Sequence, residues 1–228
     1  MKKIMFNDRY GLEQAVIAGT KTMTRRIIHF PGIDDKDVSK PVMGIDDKGR
    51  VYFTFDAITE DVDIYPKYQI GERVAVAQSY ENIPMEHFLN GIDDPFKRNL
   101  QEQLVKQAAA YKNKLFAVAS LMPHVIKITN IKAERLQDIS EEDCLKEGVL
   151  KAPFDGYYVT GIGMTAPKSM ARPIGQTADG KPVYGDRYRN FKFNSPREAF
   201  AALIDKVSGS NTWNRNQWVF AYEFELIK

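Results

Sequence analysis

The segment Gly19-Thr20-Lys21-Thr22-Met23-Thr24-Arg25-Arg26 places one lysine, three threonines and two arginines within eight residues. A lysine held in a dry setting gives up its proton more readily, and its neutral amine can then take the proton of a nearby hydroxyl. Lys21 and Thr24 are therefore candidates for a base and a nucleophile of the threonine–lysine kind. Arg25 and Arg26 each carry a planar fork of donors suited to phosphate or carboxylate, and Thr22 adds a hydroxyl to that grip. A plainer role also fits these residues. Lys, Arg and Thr are common on exposed strand faces, so the segment reads equally as a solvated strand end.

Other chemistries have little to build on. His29, His87 and His124 are the only histidines, and none stands at ligand spacing from another. Walker and dinucleotide loops are absent, and Gly161-Ile162-Gly163 lacks the strand-to-helix setting such a loop needs. No metal and no cofactor is expected. Cys144, the single cysteine, lies one turn into a predicted helix and reads as a small buried apolar residue rather than a nucleophile. One cysteine permits no intramolecular disulfide, which suits a reducing cytoplasm.

Charge sharpens the question of partners. The whole chain has 32 Lys+Arg against 30 Asp+Glu, a formal +2, which gives no global argument for nucleic acid. Locally the balance differs. The first thirty residues hold Lys2, Lys3, Arg9, Lys21, Arg25 and Arg26 against Asp8 and Glu13. Residues 165–198 hold Lys168, Arg172, Lys181, Arg187, Arg189, Lys192 and Arg197 against Asp179, Asp186 and Glu198. Tyr157, Tyr158, Tyr184, Tyr188 and Phe191 lie in or beside that second stretch, a mixture that suits base stacking with phosphate contact. It equally suits a loop that packs its tyrosines down and leaves its charges in water.

The elements that must position these groups can be read from the pattern. The 228 residues, 43% hydrophobic and 27% charged, describe an ordinary globular chain. No apolar run approaches the roughly 18 residues of a membrane span, and acidic residues arrive too early for a signal peptide. Residues 10–18 predict a short helix closed by Gly19, followed by strand character over 21–28. Residues 33–50 read as loop, 51–55 and 73–77 as strands, and 86–113 as helix. The longest strand is expected over 124–136. A helix capped by Ser140 follows, with Asp143 three residues on, and Gly148 ends it. Ser195-Pro196 opens another helix with stripe Phe200, Leu203, Ile204 and Val207. Trp218, Phe220, Tyr222, Phe224 and Leu226 alternate along a closing strand. Five or six strands among short helices, out of βαβ order, predict an α+β fold on a small barrel. A single domain over 1–228 is expected, with insertions at about 83–113 and 151–194, the second covering a site.

Gly19-x-Lys21-Thr22-x-Thr24-x-Arg26 resembles the opening signature of ASCH domains. Ile70-Gly71-Glu72-Arg73-Val74-Ala75-Val76 is similar to that family's turn into a central strand. Residues 128–149 resemble the long strand and short helix of phage-associated and gut-bacterial members, and Trp213 to Phe224 their terminal strand. The resemblance implies a PUA-like β-barrel and an RNA- or nucleoside-binding role. Some small bacterial members are amidohydrolases that remove the acetyl group of N4-acetylcytidine with a Lys, a Thr and a Glu. Motif by motif, these fall on Lys21 as base, Thr24 as nucleophile and Glu147 as proton carrier or orienting group. By its position Glu147 reads equally as a solvated acid in a last helical turn. An interaction protein of mobile-element origin with a vestigial pocket is a third reading. One departure stands out: relatives carry an Arg-Glu pair after the central strand where this chain has Ala77-Gln78, which makes Gln78 the candidate ligand contact there. Geometry adds a condition. Strand side chains alternate, so Lys21 and Thr24 share a pocket only if Lys21 stays in the turn after Gly19 or a bulge intervenes.

Overall fold

The computed structural model describes residues 1–57, 61–152, 156–162, 175–177, 180, 182–183 and 193–228. In chain order the first elements are β1 (Lys2–Ile4), α1 (Leu12–Ile17), β2 (Met23–Ile27), β3 (Val42–Ile45), β4 (Val51–Phe55), β5 (Val62–Ile64) and β6 (Arg73–Val76). Then come α2 (Met85–Leu89), α3 (Pro95–Gln107), β7 (Val125–Arg135) and α4 (Glu141–Lys146). Two short strand pairs follow: β8 (Leu150–Lys151) with β9 (Tyr157–Tyr158), and β10 (Gly175–Gln176) with β11 (Pro182–Val183). The chain closes with α5 (Pro196–Ser208), α6 (Thr212–Arg215) and β12 (Trp218–Leu226). The architecture is α+β. Among the described residues no helix is long and apolar enough to cross a membrane.

The larger sheet has the order β1-β6-β7-β12-β2. Its β1–β6 pair is parallel and its other pairs are antiparallel. β12 lies between β7 and β2, and every residue from Trp218 to Tyr222 is buried. That double coverage follows from apolar residues at both phases of the alternation. The Trp218 and Phe220 side meets the second sheet, β3-β4-β5, where Phe53 packs tilted on Phe220 with centroids 5.3 Å apart and Phe55 meets Trp218 edge-on at 5.5 Å. Rings buried this way are each worth about 1.5–3 kcal/mol. The opposite phase is cut short at Ala221, which stands between Arg25 on β2 and Lys132 on β7. Its small side chain leaves room above that cationic row, and α4 fills it.

Three expectations need correction. The stretch 33–50 is not all loop: β3 pairs with β4 through a turn in which Asp46 caps Lys48 and Arg50, with Gly49 at φ +73°. The expected helix over 86–113 is two helices. Pro95 has no N–H to donate, so it begins α3 instead of continuing α2, and Asp94 caps it. At α4, Ser140 accepts from the Asp143 amide at 3.1 Å, but the Asp143 carboxylate turns to cations instead of completing a reciprocal cap. Residues 80–122, which include the expected insertion at 83–113, form a second apolar cluster against β6, with Tyr80, Ile83, Phe88, Val105 and Met122 packed around Ala75.

Candidate active site

The end of α1 fixes Lys21. Gly19 at φ +71° lets its amide bond Val16 O at 3.0 Å while Thr20 N reaches back to Ala15 O at 2.9 Å, closing the helix with a left-handed residue. Thr22 N then bonds Lys146 O at 3.0 Å, which ties the connection to the end of α4. Lys21 thus precedes β2, which begins at Met23, and the first of the two geometric routes is the one taken. β2 is an edge strand, so residues from both its faces can border one space. Lys21, Thr24, Arg25, Arg26 and Glu147 line a common cavity of about 450 Å³, whose lining also includes Phe200 and Leu203 of α5.

Lys21 is 2% exposed. Its Nζ donates to Glu147 Oε2 at 2.6 Å, Glu147 O at 2.7 Å and Met23 O at 2.7 Å. Burial pushes the amine below the ordinary lysine range, and the Glu147 carboxylate partly opposes the shift. Glu147 is not a solvated last-turn acid: it is buried, its carbonyl and one carboxylate oxygen on Lys21, its Oε1 on Arg25 Nη1 at 3.1 Å. Gly148 makes this fit. At φ +103°, a Cβ there would stand 3.1 Å from Leu12 Cδ2 and 3.7 Å from Lys21 Cδ. Thr24 is buried at the cavity wall, and among the described residues no protein group bonds its hydroxyl.

Arg25 has a different task from the one its fork implied. Its nitrogens meet Glu134 Oε1 at 2.5 and 2.9 Å, Asp143 Oδ2 at 2.9 Å and Glu147 Oε1 at 3.1 Å. No fork is left over for an external phosphate. Burial disfavours the guanidinium, but Glu147 and Glu134 outweigh it and the pKa rises further. Lys132 bonds the same Asp143 oxygen at 2.6 Å and lies 3.3 Å from Glu134 Oε2. For Asp143, burial is likewise outweighed, here by Lys132 and Arg25, and the carboxyl is held below its usual range. The result is a network of Lys21, Arg25 and Lys132 with Glu134, Asp143 and Glu147 behind the cavity, joined at its rim by Lys146, 3.9 Å from the second Asp143 oxygen.

The opposite wall carries a second charged group. Lys114 Nζ bonds Asp8, the Phe6 carbonyl and Glu13 Oε2, the last at 2.7 Å. Glu13, buried on α1, is raised to about 7, first by desolvation and then by its hydrogen bond to Asp8, against the pull of Lys114. Gln78 lies behind it and not at the cavity surface. Its Nε2 is 3.4 Å from Glu13 Oε1, and its buried Oε1 has no partner among the described residues. Thr22 also stays outside the lining, its backbone engaged by Lys146 and Phe224. Arg26 does line the cavity and, among the described residues, donates only to Met5 O, at 2.8 Å.

Elsewhere, Cys144 is buried and its thiol is pushed up to about 12 by desolvation, which fits inert packing. Among the described residues no cluster of metal-ligating side chains occurs. Tyr184, Tyr188, Phe191 and the basic residues from Lys168 to Lys192 lie outside the described residues. Of that stretch, Tyr157 packs on the core and Arg197 is committed to the Ile139 and Gln137 carbonyls at 2.6 and 2.5 Å. Sequence reasoning missed Glu134, Asp143, Lys132, Asp8, Glu13 and Lys114 as parts of the site. Lys132 and Glu134 had a weak signal, two opposite charges at strand spacing on the phase that begins with Ile126 and Ile128. Lys114 had none. The chain matches no protein-family model, and no curated protein or solved structure matches it.

Proposed function

We propose that the chain is an ASCH-type domain on a PUA-like barrel whose cavity is an amidohydrolase site for an N-acylated nucleobase, with N4-acetylcytidine as the prototype substrate. The observation that carries this reading is the convergence of Lys21, Thr24 and Glu147 on one cavity. Its volume of about 450 Å³ falls in the small-molecule range of about 300–1,000 Å³ and suits a nucleoside better than a strand. The tilted contact of Phe53 with Phe220 and the edge contact of Phe55 with Trp218 pack one sheet against the other, which supports the barrel part of this reading. The single buried cysteine suits a reducing cytoplasm.

In the proposed reaction Lys21 first loses a proton to solvent by way of Glu147, a loss that burial of the amine favours. The neutral amine then takes the Thr24 proton as Oγ1 attacks the amide carbonyl. Collapse of the tetrahedral adduct breaks the carbon–nitrogen bond. Lys21 returns the proton to the departing exocyclic amine, leaving the acyl group on Thr24 as an ester. Water, deprotonated by the same Lys21–Glu147 pair, releases acetate and restores the hydroxyl.

One observation favours the simpler reading of a binding module for RNA or a modified nucleoside. All three Lys21 protons already have acceptors, so the resting amine is an ammonium engaged in holding Glu147. Incubation with N4-acetylcytidine, followed by chromatography, separates the readings. The enzyme reading expects cytidine to accumulate, and to fall by a factor on the order of 10³ or more in Thr24→Val and Lys21→Met. Binding without turnover supports the module. Neither binding nor turnover leaves the pocket vestigial.

A further inference from the structure

A second cavity of about 510 Å³ adjoins the first, and Met5 and Arg26 border both. Its lining is one-sided in charge. Lys3, Arg26 and Lys67 face it, His29 stands at its edge, and no Asp or Glu is among its described lining residues. Asp63 and Glu72, the acids nearest in sequence to Lys67, both lie outside the lining; Asp63 accepts from the Thr54 hydroxyl at 2.6 Å and Glu72 is held by Lys2 at 3.0 Å. The cations are not spent on one another's partners. Lys3 Nζ donates to Leu115 O at 2.6 Å and Ala117 O at 2.7 Å, which leaves one of its three protons. Among the described residues, the Lys67 side chain has only a ring contact, 5.5 Å from the Tyr68 centroid, and Arg26 hydrogen-bonds only Met5 O and lies 6.0 Å from the Phe6 ring centroid.

Three cations with donors to spare and no facing carboxylate make a site for a multiply charged oxyanion. We propose that this cavity receives a phosphate group of the same ligand whose acylated base meets Lys21 and Thr24, so that the substrate class is a nucleotide and not a free nucleoside. The inference rests on the amidohydrolase reading for the base and extends it along the ligand. Arg26, standing between the cavities, places base and phosphate on its two sides. A free nucleotide and the end of an RNA strand present the same phosphate.

The test titrates the intact protein with cytidine, cytidine 5′-monophosphate and a short single-stranded RNA ending in cytidine, by calorimetry at low salt. The monophosphate should bind at least about tenfold more tightly than cytidine, the size expected of a charged hydrogen bond. That preference should shrink on adding salt and should vanish in Lys67→Glu, an exposed position whose reversal leaves the core untouched. Arg26→Gln should remove it too. Stronger binding of the RNA assigns the phosphate to a strand, and equal binding to a free nucleotide; both support the site. Equal affinity for cytidine and its monophosphate, a preference that survives Lys67→Glu and Arg26→Gln, or binding of none of the three overturns it. Failure of the underlying reading looks different: N4-acetylcytidine and its 5′-monophosphate both remain uncleaved whatever their affinities.

Discussion

Replacing Lys21 by Met and Glu147 by Gln, singly and together, probes the charge set behind the cavity. Lys21, Arg25 and Lys132 balance Glu134, Asp143 and Glu147, and Lys146 at the rim is balanced by Glu142, so the set is neutral as built. Lys21→Met leaves Glu147 buried with Arg25 Nη1, at 3.1 Å, as its only cation. Glu147→Gln leaves a buried ammonium whose carboxylate contact at 2.6 Å is gone. Removing one partner of a buried pair costs about 3–5 kcal/mol, because the remaining charge is left uncompensated. The double variant restores neutrality, so its cost should be nearer that of one substitution than the sum, a coupling of about 2 kcal/mol or more. Urea unfolding followed by the fluorescence of Trp213 and Trp218 measures all three. At roughly 2–4 °C per kcal/mol for a chain of this size, each single change should lower Tm by about 6–20 °C. Single effects below about 1 kcal/mol, or additivity within about 0.5 kcal/mol, would refute the claim that this pair is a buried, mutually dependent unit.

Other consequences are separable from that one. Glu13 titrates at about 7 in the folded chain against 4.5 in the reference state. Between those values the unfolded chain loses a proton that the folded one keeps. Stability should therefore fall as pH rises through that window, by an amount on the order of 3 kcal/mol. Glu13→Gln should flatten the slope between about pH 4.5 and 7, and an unchanged slope would count against the assignment. Under the proposed mechanism, deacetylation should rise with pH along an ionisation below the lysine reference of 10.5, since that mechanism needs neutral Lys21. Glu147 holds that ionisation up, so the residual activity of Glu147→Gln should rise at lower pH than wild type, and a shift the other way would contradict the pairing. Cys144, buried and pushed up to about 12, should resist iodoacetamide at pH 8 in the folded protein and react after denaturation. Rapid labelling of the native chain would place it at the surface.

The elements legible in the sequence were those with strong local signals. The alternation from Trp218 to Leu226, the Ser140 and Ser195 caps and the glycine after α1 each depend on neighbours a few residues away, and all are found. The split between α2 and α3 is also local, written in Asp94-Pro95, but the helix-forming alanine run beyond it extends the helical pattern across that break. β3 was hidden because Val42, Met43 and Ile45 are exposed and alternate with nothing apolar inside. At the site, Lys21 and Thr24 could be named from one segment. The fate of Arg25 could not. Its three carboxylate partners come from β7, α4 and the residue after α4, brought beside it by the β7–β12–β2 register. Lys114 likewise reaches Glu13 across 101 positions of sequence, a pairing that no local pattern encodes.

The central claim is that Thr24 carries the acyl group in a cavity where Lys21 manages its proton. Quenching the protein in acid during turnover of N4-acetylcytidine and mapping its peptides by mass tests this directly. The account predicts one acetyl ester on Thr24, lost on mild alkaline treatment, absent in Thr24→Val and strongly diminished in Lys21→Met. Cytidine formed with no acyl group on Thr24, or an acyl group settled on another residue, would contradict it.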